Sequence, residues 1–263
     1  MAPIASNGPA LLAGTNMDGS PVSWFDANWM FFSWAFGLIG LGVLIARFPQ
    51  RDAYWAGWLA PVMYCFHQSE EHAYDFRGWR YAFVPALNQG FGSVLFGSAC
   101  QPSFPVDGSG PCPLDPQMTT WVNVVAIWVG FGGCMLFATL YPERFLFAGM
   151  LNWGTAIVNG IAGHLLQVVL SQSYNPGSVQ SLVMVPLGLY IILGSQRPLL
   201  CLGYGFLFHV VAFGVGINLV LRANAPEVVT IIACTTIGSL VLPLVISNFV
   251  RHPTDAYKPL ALS

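Results

Sequence analysis

The chain has 263 residues, of which 55% are hydrophobic and only 8% are charged, and its formal net charge is −2. Because an ordinary soluble domain carries about 25% charged residues, this composition indicates an integral membrane protein. The small net charge and the lack of a run of basic residues argue against a nucleic-acid partner, so we expect the partners to lie in or beside the lipid bilayer.

Apolar windows of roughly 17–25 residues predict transmembrane helices, because the hydrocarbon core of a bilayer is about 30 Å thick. Six windows are clear: 28–46, 54–74, 120–141, 145–170, 198–221 and 227–249. A seventh, 179–194, is short and contains Pro186. The predicted fold is an all-α polytopic membrane helix bundle with about seven transmembrane helices. It forms one transmembrane domain over 28–250, with a long loop at 75–119.

The basic residues predict the orientation, because Lys and Arg are retained on the cytoplasmic side of short loops. The larger group falls on one side of the predicted membrane: Arg47, Arg51, Arg144, Arg197, Arg251 and Lys258. The other side receives Arg77, Arg80 and Arg222. We therefore expect residues 1–27 to form an extracytoplasmic tail and 251–263 a cytoplasmic tail, in an endomembrane or the plasma membrane. Cys100 and Cys112 lie in the extracytoplasmic loop, where a disulfide and two free thiols both remain open.

Ionisable residues within the spans point to a functional site, because each costs several kcal/mol in a bilayer and such groups usually face the bundle interior. The segment CFHQSEEHA, residues 65–73, holds four of them. Residues three and four apart share a helix face, so His67 is predicted to project with Glu70 and Glu71 as the catalytic and metal-binding group. His72 is predicted to point partly away, at the membrane interface. A polar clamp between helices is the alternative reading of the group.

Two histidines on other predicted spans reach a similar depth, at about 1.5 Å rise per residue. We expect His164 first, and His209 second, to complete a metal site with His67, Glu70 and Glu71. For His209, a hydrogen-bonded packing role remains open. Three further residues are predicted to support the site from around it: Asn159, Gln167 and Tyr174.

The order His67-Gln68-Ser69-Glu70-Glu71 resembles the signature of the HXXEE family of integral membrane proteins. A second block, 159–190, resembles that family's later block, in which an Asn and a His on one helix precede a Tyr-Asn-Pro-Gly turn and a short apolar helix. Here these are Asn159, His164 and residues 174–177. The resemblance implies a membrane protein with a metal or acid–base centre and supplies no substrate.

Three functions remain open. The preferred one is a membrane-embedded, metal-dependent oxidoreductase or hydrolase acting on a lipid-, terpenoid- or polyketide-like molecule. Its divalent ion would be Fe, Zn or Mn, because imidazole with carboxylate suits these metals. The second is a metal-free isomerase or cyclase, in which a protonated buried Glu delivers a proton. The third is a proton-coupled transporter. The sequence shows no inverted repeats, which argues against this function.

Overall fold

The computed structural model describes residues 21–79, 82–87 and 114–250. Within these segments the ordered elements are helices, and no extended β-strand occurs. Both loop cysteines and both predicted tails lie largely or wholly outside the described residues, so the disulfide and the orientation stay predictions. We number the helices in chain order: α1 Trp24–Ala46, α2 Ala53–Gln68, α3 Phe83–Leu87, α4 Pro116–Leu140, α5 Pro142–Ser171, α6 Ser178–Leu193, α7 Pro198–Ala223 and α8 Glu227–Phe249.

Five of these helices, α1, α4, α5, α7 and α8, are long and apolar enough to cross a membrane. Helix α2 has 16 residues and continues into a five-residue π-helical turn, Ser69–Ala73. Helix α6 also has 16 residues, which at about 1.5 Å per residue extend about 24 Å, less than the roughly 30 Å of the hydrocarbon core. The prediction of an all-α, multi-pass membrane helix bundle is confirmed, and its short span corresponds to α6.

Local signals in the sequence explain where the helices begin. Asp52 precedes α2, and its Oδ1 accepts a hydrogen bond from the backbone N–H of Trp55 at 2.8 Å. Asp115 caps α4 in the same way, through the N–H of Met118 at 2.7 Å. Three helices, α4, α5 and α7, start with a proline, which needs no hydrogen-bond acceptor at that position. These residues set where the helices begin.

Helix α5 is the centre of the bundle. In its most apolar window 78% of the residues are buried, against 28–56% in the other four long helices. It lies close to α2 where Gly149 faces Gly57, and close to α7 where Gly154 faces Gly205. A Cβ atom at Gly154 would collide with a backbone carbonyl oxygen of α7, so only glycine allows this approach. The close contacts hold α2 and α7 at fixed positions beside α5.

In the part of the chain that the structure describes, five segments are π-helical, with wider turns whose hydrogen bonds join residues i and i+5. Three of them belong to the helices just described: Ser69–Ala73 after α2, Asn159–Leu165 in α5 and Val210–Ile217 in α7. The other two are Val125–Phe131 in α4 and Ile237–Val241 in α8. The candidate site lies where the first three meet.

Candidate metal centre

The π-helical turn after α2 decides which side chains of the CFHQSEEHA segment share a face. The N–H of Tyr74 donates to the carbonyl of Ser69 at 3.0 Å, which is an i to i+5 bond. Residues five apart therefore lie on one side, and His72 joins His67 and Glu71 there. The side chain of His72 is 0% exposed. The prediction that His72 points partly away from His67, Glu70 and Glu71 was wrong for this reason, because its ring faces Glu71.

The π-helical segment of α5 has the same effect on Asn159 and His164, which are also five residues apart. In a regular α-helix their directions would differ by about 140°, given 3.6 residues per turn. Here the amide Nδ2 of Asn159 lies 3.2 Å from Nε2 of His164. It also lies 3.2 Å from Nε2 of His67 on the neighbouring helix. The two helices therefore present their polar groups to one point.

Three buried side chains converge at that point: His67, Glu71 and His164. Oε1 of Glu71 lies 2.9 Å from Nε2 of His164 and 3.3 Å from Nε2 of His67. The two Nε2 atoms are 3.1 Å apart. All three side chains are at most 2% exposed. The structure thus brings together three of the five residues that the sequence suggested as metal ligands.

The protonation of His164 is constrained by its other ring nitrogen. Nδ1 lies 2.7 Å from the carbonyl oxygen of Pro176, which can only accept, so Nδ1 carries a proton and donates it. In the neutral ring Nε2 is then unprotonated and carries a free lone pair. That lone pair faces Oε1 of Glu71, another acceptor, at 2.9 Å. Two buried acceptors at this distance require a cation between or beside them, either a proton or a metal ion.

The size of the triangle fits a metal ion. Bonds of about 2.0–2.1 Å at angles of about 90–110° place neighbouring ligand atoms roughly 2.8–3.4 Å apart. The three measured distances, 2.9, 3.1 and 3.3 Å, fall in this range. Two imidazoles and one carboxylate leave further coordination positions open, which is typical of catalytic zinc and non-haem iron sites. The donor set does not choose among Zn, Fe and Mn.

Glu70 faces a different part of the bundle from Glu71, because consecutive residues on a helix project in different directions. Its Oε1 accepts from the Tyr174 hydroxyl at 2.8 Å and from the N–H of Val179 at 3.2 Å. Its Oε2 accepts from the N–H of Gln180 at 2.8 Å. A carboxylate is favourable here, because the first N–H groups of α6 have no helical acceptor and carry positive partial charge. Glu70, expected among the metal ligands, is placed as the anchor of α6.

His209 lies beside the centre and reaches it only through Asn159. Nδ1 of His209 is 2.7 Å from the carbonyl of Gly205, so this nitrogen donates, as in His164. Nε2 faces Oδ1 of Asn159 at 3.4 Å. Asn159 therefore stands between His209 and the two converging imidazoles. The structure does not place His209, which the sequence suggested as a ligand, within the cluster.

The second oxygen of Glu71 faces a polar neighbourhood that the sequence did not reveal. Oε2 lies 3.5 Å from Nε2 of His72, and that nitrogen is 3.2 Å from Nδ2 of Asn123 on α4. A cavity of about 10 Å³, the size of one water molecule, adjoins Glu71, Asn123 and the hydroxyl-bearing Thr155. Asn123 stands in an otherwise apolar run, and an amide within a span was the signal that could have found it.

The residues that orient the site differ in part from those predicted. Tyr174 donates to Glu70, and burial together with this carboxylate raises the pKa of its hydroxyl, which therefore stays protonated as a donor. Gln167 is half-buried, and Nδ1 of His164 is instead held by Oδ1 of Asn175 at 2.9 Å and by Pro176. The orienting role expected of Gln167 thus falls to Asn175.

The turn before α6 also closes the centre from one side. Gly177 has a φ of +89°, which favours glycine. A Cβ atom at this position would lie 2.6 Å from Cε1 of His164 and 3.0 Å from Cε1 of His67. The Tyr-Asn-Pro-Gly turn therefore does more than reverse the chain, because its last residue covers both imidazoles.

Comparison with protein-family models gives one match, over 58–191, to a family described as proteins of unknown function with an HXXEE motif. These residues make up just over half of the chain. The chain belongs to the HXXEE family. The resemblance stated from the motif and the later block is thereby confirmed. No curated protein and no solved structure matches the chain.

The structure gives the named positions of the HXXEE motif separate tasks. His67 and Glu71 face the converging point, whereas Glu70 ties the end of α2 to the start of α6. The HXXEE match also includes His164 and the turn at 174–177, and it ends before α7. His209 therefore lies outside the part of the chain that the family model covers.

Proposed function

We propose that the protein is a membrane-embedded, metal-dependent enzyme in which His67, Glu71 and His164 hold one divalent ion. The observation that carries this proposal is the contact between the Nε2 lone pair of His164 and Oε1 of Glu71 at 2.9 Å. The nearby Nε2 of His67, 3.3 Å from the same oxygen, supplies a third donor. Burial supports it further, because such a group without a cation would be costly inside the bundle.

The reaction class follows from the donor set only in outline. A bound Fe, Zn or Mn ion would act as a Lewis acid or activate water or dioxygen, so an oxidoreductase and a hydrolase are both compatible. Glu71 would bind through Oε1 and keep Oε2 beside His72 and the small polar cavity. From there Oε2 can accept a proton from a group held in that cavity.

Asn159 and His209 would support the centre as a hydrogen-bonded chain. With the imidazole lone pairs on a metal, the Asn159 amide would present its oxygen to the centre and its N–H to Nε2 of His209. His209 can accept that bond because its own Nδ1 donates to Gly205 at 2.7 Å. Such outer partners commonly change metal affinity by about 10–100-fold. His209 is then a positioning residue.

The substrate would be a hydrophobic small molecule, lipid-, terpenoid- or polyketide-like. Support comes from the position of the centre inside an apolar bundle of membrane-crossing helices. A charged metabolite would have to leave water to reach it, at a cost of several kcal/mol. We place the enzyme in an endomembrane or the plasma membrane, in a biosynthetic role.

A metal-free acid–base enzyme is the competing proposal, because the same convergence could be satisfied by one proton. Glu71 or His164 would then carry that proton and deliver it to an alkene or epoxide, as in an isomerase or cyclase. The two proposals differ in one respect. Chelation abolishes turnover by the metal enzyme and leaves the acid–base enzyme unchanged.

Cobalt titration tests the metal proposal without knowledge of the substrate. Metal-stripped protein in detergent should bind one equivalent of Co²⁺ and develop visible absorption bands. His164→Ala should lose that binding, whereas Gln167→Ala, a change on the same helix away from the imidazole, should keep it. Wild-type protein that binds no cobalt saturably would overturn the proposal.

A further inference from the structure

A cavity of about 320 Å³ lies between α5 and α7, next to the proposed metal centre. The two helices touch at Gly154 and Gly205 and separate toward the extracytoplasmic side of the predicted orientation. The separation coincides with the π-helical segments Asn159–Leu165 and Val210–Ile217. The cavity occupies the space between these two segments.

The walls of this cavity select for an uncharged guest. None of the lining residues that the structure describes is Asp, Glu, Lys or Arg, and most of them are aromatic or aliphatic. Within that described lining, the polar side chains are two amides and one imidazole: Asn159, Asn218 and His209. Ligand sites typically combine such an apolar wall with a few placed polar groups. This lining fits a ligand that is mostly apolar and carries one uncharged oxygen-containing group.

The outer wall of the cavity faces the bilayer rather than water. Phe206 and Val210 line it and are 62% and 57% exposed on a helix that is long enough to cross a membrane. Exposed apolar side chains on such a helix contact lipid chains. A guest can therefore arrive sideways from the hydrocarbon region.

The inner end leads to Glu71. Phe83, Asn159 and Phe213 line both the large cavity and the small polar cavity beside Glu71. Phe213 stacks on His209 with ring centroids 5.7 Å apart. These shared side chains form the boundary between the large apolar cavity and the small polar cavity, which has room for one oxygen-bearing group.

We propose that the large cavity binds an uncharged lipophilic molecule with one alcohol or carbonyl end, which enters from the bilayer and points its oxygen toward Asn159 and Glu71. The space holds roughly ten methylene-sized groups, at about 30 Å³ each, and a longer chain would extend into the lipid. The reaction of this molecule rests on the proposed function. Its binding in the cavity does not depend on that function.

Photo-crosslinking tests the binding site directly. The probe is a dodecanol that carries a diazirine on its chain, applied to the whole protein in lipid nanodiscs and mapped by peptide mass spectrometry. Labels should fall on the walls formed by α5 and α7, and excess unlabelled dodecanol should remove them. Carboxylate and ammonium analogues should label about tenfold less.

Two glycines of α7 provide a matched pair of variants. Gly214 lines the cavity, Gly203 does not, and an added Cβ atom has space at both. Gly214→Phe should fill the mouth and lower labelling about tenfold, with metal content unchanged. Gly203→Phe should label like wild type.

The outcomes separate this inference from the proposed function. Labels spread evenly over the lipid-facing helices, or equal labelling in Gly214→Phe and wild type, would overturn the inference even if metal is present. Saturable labelling of the cavity in a protein without metal would support the inference and contradict the metal centre. The wild-type map and the competition with dodecanol decide the matter if Gly214→Phe does not fold.

Discussion

Glu70→Gln removes one charge from the contact between α2 and α6. The amide can keep an oxygen toward Tyr174 and the N–H of Val179, but its NH₂ group then faces the N–H of Gln180, now 2.8 Å from Oε2. One hydrogen bond to a charged group is lost, and a buried donor is left unpaired. Together these cost about 2–4 kcal/mol of unfolding free energy. Metal binding should be largely retained, because Glu70 does not face the converging atoms.

Glu71→Gln should produce the opposite result. It removes a carboxylate that, among the residues the structure describes, is the only one within reach of both imidazoles, at 2.9 and 3.3 Å from their Nε2 atoms. Metal affinity should fall by at least about 100-fold, since the loss of an outer partner alone costs about 10–100-fold. The metal-stripped variant should be at least as stable as metal-stripped wild type, because a buried carboxylate is gone.

The assay pairs two measurements on each variant: metal content by elemental analysis, and thermal unfolding in detergent with and without chelator. Unfolding stability should depend on Glu70, and metal content should depend on Glu71. Equal loss of metal in both variants, or loss of metal in Glu70→Gln with unchanged unfolding, would refute the separation of their tasks.

Three further variants test the surroundings of the centre. Gly177→Ala should cost about 2–5 kcal/mol, because it combines a positive φ with a Cβ atom against His164, and thermal unfolding measures this. Asn175→Ala should weaken cobalt binding about tenfold by removing an acceptor of the His164 proton, whereas Gln167→Ala should leave it unchanged. Gly154→Leu should force α5 away from α7 and lower the yield of folded protein on size-exclusion chromatography, without direct contact with the metal ligands.

Much of the fold could be predicted from the sequence, because the bilayer imposes a minimum length on each apolar segment. The windows 28–46 and 227–249 correspond to α1 and α8, which end at Ala46 and Phe249. The short window with Pro186 corresponds to α6. Charges and prolines at the ends of the spans carried this information.

The site was predicted less completely, because helix phase depends on packing. His67 has neighbours three and four residues on, and only the position of α6 shows that Glu70 anchors a helix while Glu71 faces His164. The i to i+5 hydrogen bond that turns His72 inward has no local signature in the sequence. The depth of a residue along its helix likewise could not distinguish a histidine of the cluster from His209. The ring of His209 contacts Asn159 instead of the cluster.

The metal content of the native protein tests the central claim most directly. Protein extracted from membranes without chelator, purified and analysed for Fe, Zn and Mn should contain about one ion per chain. Because that ion has three proposed ligands, the content should fall close to zero in His67→Ala and His164→Ala. It should fall less in His209→Ala, because that residue contacts Asn159 rather than the proposed ion. Native protein without a stoichiometric metal, in a folded state that also rejects cobalt, would contradict the account.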